Sequence, residues 1–577
     1  MMGTLVVSVL GSLIAAEFPN NAYEPGEVFQ PLVVLDDSVM IAEVPGSDMQ
    51  PRGSNAVMVL DGHFVIVGSA DSGNAGAVLH VLDMSNPQDP ILVSHAGDAN
   101  LRELHSMPAV ALDDGFITVL PSVTGIQIWD ISSPEAGPEK LGEVALEGLD
   151  GGDYDNTAWQ ITVSWPYAFV ASTGAGVHIV DISDPSAPLP INRITTGDLG
   201  IGKAGPIYVA GNLIIVATMD TFPIGLGIVD VVDPMIPIPL GTGEGPELQR
   251  TYSSLVIGDR VYGPGDLGGF HVASWEATDV SASFEFIAQA QIGGDKGGYC
   301  SYQDGYVFCG QSGNGFYKID LSDETQPIAA GNGAFDVGEP DMDFATVLGN
   351  LVFISNDHTG GPQGAFVPHQ ADPDLAPPEI VAAYPVPGSL HIPLPTRFTV
   401  FFSDDIDLAT VDPQTFLVRS VSDGEVVPGV FVRSSLNAIS FSPNAPLRED
   451  ETYAITLHPG GLTDVAGNEI PEDVEVGRWS TGDSIDETPL DPPDPPGGTD
   501  SGSEGGSEAV SEVGSSSSSS TGEEPETPDA PTQSGSTGGE SGSGADENGG
   551  CGCTSGRSAA PLWLLVLFVA LRRRRRG

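Results

Sequence analysis

The groups in this chain that could do chemistry are four cysteines, ten histidines and a large surplus of carboxylates. Cys300 and Cys309 bracket Tyr302, Gln303, Asp304, Gly305 and Tyr306. An Asp-Gly pair between alternating residues favours a two-residue hairpin turn. Such a turn pairs 303 with 306 and 300 with 309, the latter at a non-hydrogen-bonded position where Cα atoms approach to about 4.5 Å. That is within disulfide reach; the alternative is two thiols packed in a sheet. A disulfide there is tied to export, because it persists only in an oxidising compartment.

Asp153 and Asp155 in GGDYDN, and Asp341 and Asp343 in EPDMDF, set alternate carboxylates before two strands. They could hold Ca²⁺, but neither stretch has the Gly and distal Glu of a complete calcium loop, so solvated turn carboxylates are expected. No cofactor, catalytic residue or metal ligand is therefore assigned, and Ca²⁺ is the one ion to test. Residues 263–268 (GPGDLG) fit G-x-G-x-x-G but lack the strand–helix setting a dinucleotide site needs. Neither H-E-x-x-H nor G-x-S-x-G occurs. His105, Trp159 and Asp153 could meet at the mouth of a ring. His178 and His271 share a repeat position, which points to packing or to a channel.

What must position these groups is a repeat. Residues 176–185 read GVHIVDISDP, and altered copies start at 78, 125, 225, 269, 315 and 364, spaced 47, 51, 49, 44, 46 and 49 residues apart around the copy at 176. A fixed period of this size marks a repeat architecture. In the third copy, 157–164, 167–172, 177–182 and 189–195 read as four strands, with turns at Trp165-Pro166 and Ser183-Asp184-Pro185. Four antiparallel strands in about 45 residues is the unit of a β-propeller blade. Gly at the start of most third strands is expected to allow close approach near a crowded axis. The seventh copy lacks a fourth strand before Pro377-Pro378, and residues 39–44 (VMIAEV) are expected to supply it and close the ring. The repeat unit resembles the LVIVD repeat of bacterial exported propellers across roughly residues 33–373. That resemblance implies a seven-bladed β-propeller and carries no catalytic residues with it.

Residues 377–482 hold six further strand signals, at 379–384, 396–402, 415–418, 429–433, 438–442 and 452–457, separated by Pro, Gly and Asp. Short strands at this pitch read as a sandwich. Tyr384-Pro385, Asp412-Pro413-Gln414-Thr415-Phe416, Phe441-Ser442-Pro443 and the run 462–468 (LTDVAGN) resemble the bacterial Ig-like domain of surface-layer (SbsA-like) type, which implies a spacer or adhesion module. The fold class is thus all-β.

The ends carry address signals. Residues 1–16 are an apolar candidate signal peptide without a basic start. Residues 483–550 are acidic, rich in Ser, Gly and Pro, and cannot bury enough apolar area to order themselves. Cys551 and Cys553 then precede an apolar helix signal at 559–571 (AAPLWLLVLFVAL) and Arg572, Arg573, Arg574, Arg575 and Arg576. Thirteen residues make a helix of roughly 20 Å, short against a bilayer core of about 30 Å; the arginines suit positive-inside retention. The tripartite tail 551–577 resembles the MYXO-CTERM sorting signal, which implies a sorting protease and an anchor at the Cys region.

Lys and Arg number 20 against 79 Asp and Glu, and six of the 20 lie in the last 21 residues. Such charge repels nucleic acid and anionic lipid from the folded part. The expected protein is an exported, membrane-anchored surface molecule that presents a propeller to an extracellular protein or glycan without catalysis. A hydrolase or lyase with a site at the propeller mouth, or a structural envelope or matrix component, are the alternatives.

Overall fold

Each repeat folds into four antiparallel strands in chain order, and the third copy shows why. Ile161–Ser164, Tyr167–Ala171 and Val177–Asp181 are rich in β-branched and aromatic residues and buried nearly throughout, whereas Leu189–Ile194 is largely exposed. Inner strands covered on both faces need this near-continuous apolar text; the outer strand does not. The computed structural model describes residues 18–490 apart from 27, 37, 41–52, 61, 70–75, 152–154, 220–224, 245–252, 265–268, 279, 294–296, 314, 336–340 and 357–361. The candidate signal peptide, Asp153, Cys551, Cys553, the 559–571 segment and Arg572–Arg576 lie outside those residues.

The seven copies of the signature become the third strands Ala77–Asp83, Gly125–Asp130, Val177–Asp181, Gly225–Asp230, Gly269–Thr278, Phe316–Asp320 and Gly364–Pro368. Among the described residues these strands lie in six four-stranded sheets and in four strands, in chain order, of a larger sheet, each array beside the next. Neighbours are joined by Ala56 N to Leu104 O (3.0 Å), Ser106 Oγ to Ile161 O (2.8 Å), Thr173 N to Ala204 O (3.0 Å), Ser253 Oγ to Gly298 O (2.8 Å) and Tyr299 N to Asp343 O (2.5 Å). The outer strands Ile238–Glu244 and Ser281–Gln291 join the fourth array to the fifth. Ser54 N donates to Asn356 O at 2.9 Å and brings the last array back to the first.

Two expectations are corrected. The fourth strand of the seventh array does come from the N-terminal side, but it is Val33–Leu35, paired Val33 with Phe366 and Leu35 with Gly364. Residues 39–44 do not supply it. Asp36 ends the strand: its carboxylate accepts Ser38 N and its carbonyl accepts Val39 N and Met40 N, winding both into a turn; 41–44 lie outside the described residues. The second correction concerns the glycines that open the third strands. A Cβ on Gly176, at φ +90°, would sit 2.1 Å from Ile194 O, and one on Gly125 would sit 2.0 Å from Val144 O. The close approach is to the outer neighbouring strand, not to the ring axis.

Beyond the ring, Ile380–Tyr384, Phe398–Phe402, Ala438–Pro443 and Gly429–Ser435 form one sheet in that order, faced by Phe416–Ser420, Thr452–Leu457 and Val474–Ser480. Trp479, Phe398 and Tyr453 are buried in the core between them. The strand Val474–Ser480 was not among the six expected. Its alternation is broken by Gly477, and its Arg478 pairs with Glu475 on the solvent side.

Candidate functional site

The sandwich does not stand apart from the ring. Its edge strand Gly429–Ser435 pairs antiparallel with the innermost strand of the second array, Ala109–Leu112, through Phe431 with Ala111, Val432 with Val110 and Arg433 with Ala109. The result is one eight-stranded sheet. Each partner had an unpaired edge, and pairing satisfies both rows of backbone groups.

The other arrays meet the sandwich at the turn between first and second strands or, in the third array, from the first strand itself. Gly62 N donates to Asp407 Oδ2 (3.2 Å), Thr162 Oγ1 to Ser434 O (2.9 Å), Gly211 N to Thr399 Oγ1 (3.0 Å) and Asp304 N to Ser403 O (3.0 Å). Asn437 Nδ2 donates to Tyr302 O at 3.0 Å. Gly258 and Gly349 lie against Ala382 and Ala466. At Gly258, φ +59°, a Cβ would come within 2.8 Å of the Ala382 methyl, so glycine serves both the turn and the contact. All seven arrays therefore touch the sandwich on one face of the ring.

Two buried arginines fasten this contact. Arg433 donates Nε to Asp405 Oδ1 at 2.9 Å and Nη1 to Met107 O at 3.2 Å, with both charged side chains 4% exposed. Arg397 donates to Asn212 Oδ1 at 3.1 Å and to Val231 O, with its guanidinium over the Tyr167 ring. Burial lowers the Arg397 guanidinium to about 10. A buried cation needs such a set of acceptors.

Between ring and sandwich lies a small cavity of about 60 Å³, lined on the ring side by His105, Gln160, Tyr208, Ser253, Tyr299 and Phe344 and on the sandwich side by Arg433, Ser434, Ser435 and Leu436. His105 stacks on Trp159 (centroids 3.9 Å apart) and faces Tyr299 at 5.1 Å, and Tyr299 stacks on Phe344 at 4.0 Å. His105 Nδ1 lies 2.8 Å from Trp159 O, and Nε2 lies 3.0 Å from Glu103 Oε1. The imidazole is thus held by stacking and by its Nδ1, with Nε2 turned to the Glu103 carboxylate. Ser106 and Ser253 donate to backbone carbonyls, and Gln160 Nε2 donates to Ile207 O at 3.2 Å.

The remaining sequence candidates fall as follows. Cys300 and Cys309 face each other across the hairpin of Cys300–Gln303 and Tyr306–Gly310, with Cα atoms 4.1 Å apart, and are joined as a disulfide. His178 is buried in its sheet, with Nδ1 2.9 Å from Ser172 Oγ and Nε2 3.0 Å from Glu147 O. His271 is buried at the matching place beside Phe286. His80, at the same repeat position, repeats the Ser contact with Ser69 Oγ at 2.9 Å. These third-strand histidines are buried against their own and neighbouring strands and loops. Asp155 pairs with Lys203 at 2.5 Å, and Asp341 accepts Ser312 Oγ at 2.6 Å. The GPGDLG stretch begins in the strand Arg260–Pro264, and its last four residues lie outside the described residues.

Sequence reasoning missed Arg397, Arg433 and a carboxylate group of Asp304, Asp374 and Asp404, whose ligand-capable oxygens lie within 4.8 Å of one another. The run Ser403-Asp404-Asp405-Ile406-Asp407 was its one visible signal. Burial, then the charge of Asp304, pushes the Asp404 carboxyl up to about 9.

Comparison with known proteins agrees with the two-part organisation. Residues 374–481 match the bacterial Ig-like domain family and residues 155–196 match the LVIVD repeat. No match was found among curated proteins. Similar solved structures include the computationally designed Ika8 protein (12% identity over 57% of this chain and 85% of that one, TM-score 0.35). They also include a fungal alcohol oxidase of the AA5 family in complex with copper (9%, 76% and 98%, TM-score 0.41). A third is the β-propeller domain of Myceliophteria thermophila Cps50 (Swd1) (10%, 54% and 96%, TM-score 0.39). The strand pairing, not these likenesses, carries the architecture. Among the described residues no helix is long and apolar enough to cross a membrane.

Proposed function

We propose that the chain is a non-catalytic, exported surface protein that presents one face of a seven-bladed β-propeller to an extracellular protein or glycan. The observation that carries this reading is the sealed face. The sandwich contacts all seven arrays on one side of the ring, at the first-hairpin turns of most of them, which leaves the opposite rim, with the loops that lead into the first strands, open to a partner. Those loops are where the copies differ most, and Asp155 and Lys203 lie among them. The reading is supported further by the cavity, where Ser106, Ser253 and Gln160 donate to backbone carbonyls of its walls. The Cys300–Cys309 bond suits an oxidising compartment. Anchoring through residues 551–577 and a sorting protease belongs to the same proposal and rests on the tail pattern alone.

Immobilised full-length protein, offered envelope proteins and a glycan panel, tests the binding. The expected result is a partner whose affinity drops on Lys203→Glu and is unchanged on Ser389→Ala, which lies on the sandwich. A partner insensitive to every rim substitution, or turnover of an offered glycan, contradicts the proposal. Protease treatment of intact cells should release the ring; retention of an uncut chain contradicts display.

A further inference from the structure

We propose that Asp304, Asp374 and Asp404, with the Gln303 side-chain carbonyl, form a Ca²⁺ site that locks the ring to the Ig-like domain.

The ligands come from three places. Gln303 and Asp304 end the first strand of the sixth array and begin its hairpin turn, Asp374 lies on the connection between the two domains, and Asp404 follows the sandwich strand Phe398–Phe402. The carboxylate oxygens of the three aspartates converge within 4.8 Å. Asp374 and Asp404 are 4% and 3% exposed. Among the described residues none of the three is paired with Lys or Arg. The neighbouring acids are already satisfied. Asp405 is held by Arg433, and Asp464 accepts Ala466 N, Asn468 N and Asn468 Nδ2.

A cluster of acids alone proves nothing, since carboxyls can share protons. The independent observation is Gln303. It is 6% exposed and lines the same small pocket as Asp374, Asp404 and Asp464. Its Nε2 donates to Asp374 Oδ2 at 2.5 Å, and its Oε1 has no hydrogen-bond partner. Asp404 Oδ1 is equally without one. A neutral carbonyl oxygen buried unsatisfied beside three carboxylates cannot be relieved by protonating itself. It lacks an electron-pair acceptor, as does Asp404 Oδ1, and a cation among these oxygens supplies one to both at once.

Donor chemistry selects the ion. The set is all oxygen, without imidazole or thiolate, which disfavours Zn²⁺ and Cu²⁺. The ligands sit on three separate chain segments, which suits the larger and geometrically tolerant Ca²⁺ over Mg²⁺. Affinity in the range of extracellular modules, on the order of 10⁻⁴–10⁻³ M, is expected. This site is separate from the Asp153/Asp155 and Asp341/Asp343 stretches.

The test uses the full chain, stripped with chelator and titrated with CaCl₂ by calorimetry, with Tb³⁺ luminescence as a second probe. One ion per chain is expected, with a rise in Tm of about 5 °C at saturating Ca²⁺. Asp404→Asn should abolish binding, Gln303→Met should weaken it about tenfold, and Asp341→Asn should leave it unchanged. A crossing is expected as well. Above about pH 9, where the Asp404 carboxyl is ionised without the ion, Asp404→Asn should melt above the wild type in the absence of Ca²⁺, because repulsion is relieved; with Ca²⁺ the order should reverse. If Asp404→Asn fails to fold, the Gln303→Met titration decides. Absence of binding by Ca²⁺, Mg²⁺ and Mn²⁺ at about 10 mM would overturn the proposal, as would binding that neither variant weakens or an order of stabilities that Ca²⁺ does not reverse.

Discussion

At the ends of the third strands one carboxylate oxygen repeats the same task. Asp83, Asp130, Asp181 and Asp320 each accept the N–H of the serine two residues on, at 2.8 to 2.9 Å, and Asp230 does so for Val232. These Asx turns stop the strand and start the outer one, which is why the signature carries an aspartate. Where the copy has His369, its Nε2 lies 2.9 Å from Gly349 O and the turn is made otherwise. Asp181→Ala should therefore cost about 1 kcal/mol, read as a lowered urea midpoint at unchanged slope. The buried histidines add a pH signature. Burial, then the charge of His95, holds His80 down to about 3 in the fold. Unfolded it titrates near 6.5, so below that value the unfolded chain takes up a proton that the folded one refuses. Stability from this group is fully present above pH 6.5 and is lost as pH falls toward 3. Relative to His80→Gln, the wild type should lose about 1.4 kcal/mol per unit between pH 6 and 4.5; parallel pH profiles would contradict it.

Strands were the most legible elements, and the reason is period. In the ring and in the sandwich, alternating or continuous β-branched text between Pro, Gly and Asp marked nearly every strand, because each buries one or both faces. The signature even placed the third strands of the divergent copies, including the extended Gly269–Thr278. What period cannot carry is which edge meets which. Val432 and Val110 pair through backbone groups, and their side chains read as ordinary core in either domain. The closing strand was misplaced for a related reason: Val33–Leu35 is only three residues long, and the longer apolar run beside it drew the assignment. The buried pair at the seam is testable. Arg433→Met leaves Asp405 buried without its cation and should destabilise by about 3–5 kcal/mol; adding Asp405→Leu should recover most of that loss. Equal destabilisation by the single and the double variant would show that the pair is not what holds the seam.

At the scale of the molecule, ring and sandwich behave as one body with one covered and one open face. Residues 18–490 should unfold in a single transition, since neither part can leave without exposing the first-hairpin turns of the ring and the edge strand of the sandwich. Hydrogen exchange on the intact chain reads the seal amide by amide. Gly62, Gly211 and Asp304 sit in turns that would exchange freely on a bare ring, yet each donates to a group of the sandwich. They should exchange at least about a thousandfold more slowly than unprotected amides and together with the core strand Val57–Leu60. Exchange of these three at unprotected rates in the native chain, with Val57–Leu60 still protected, would show that the Ig-like domain does not close the ring.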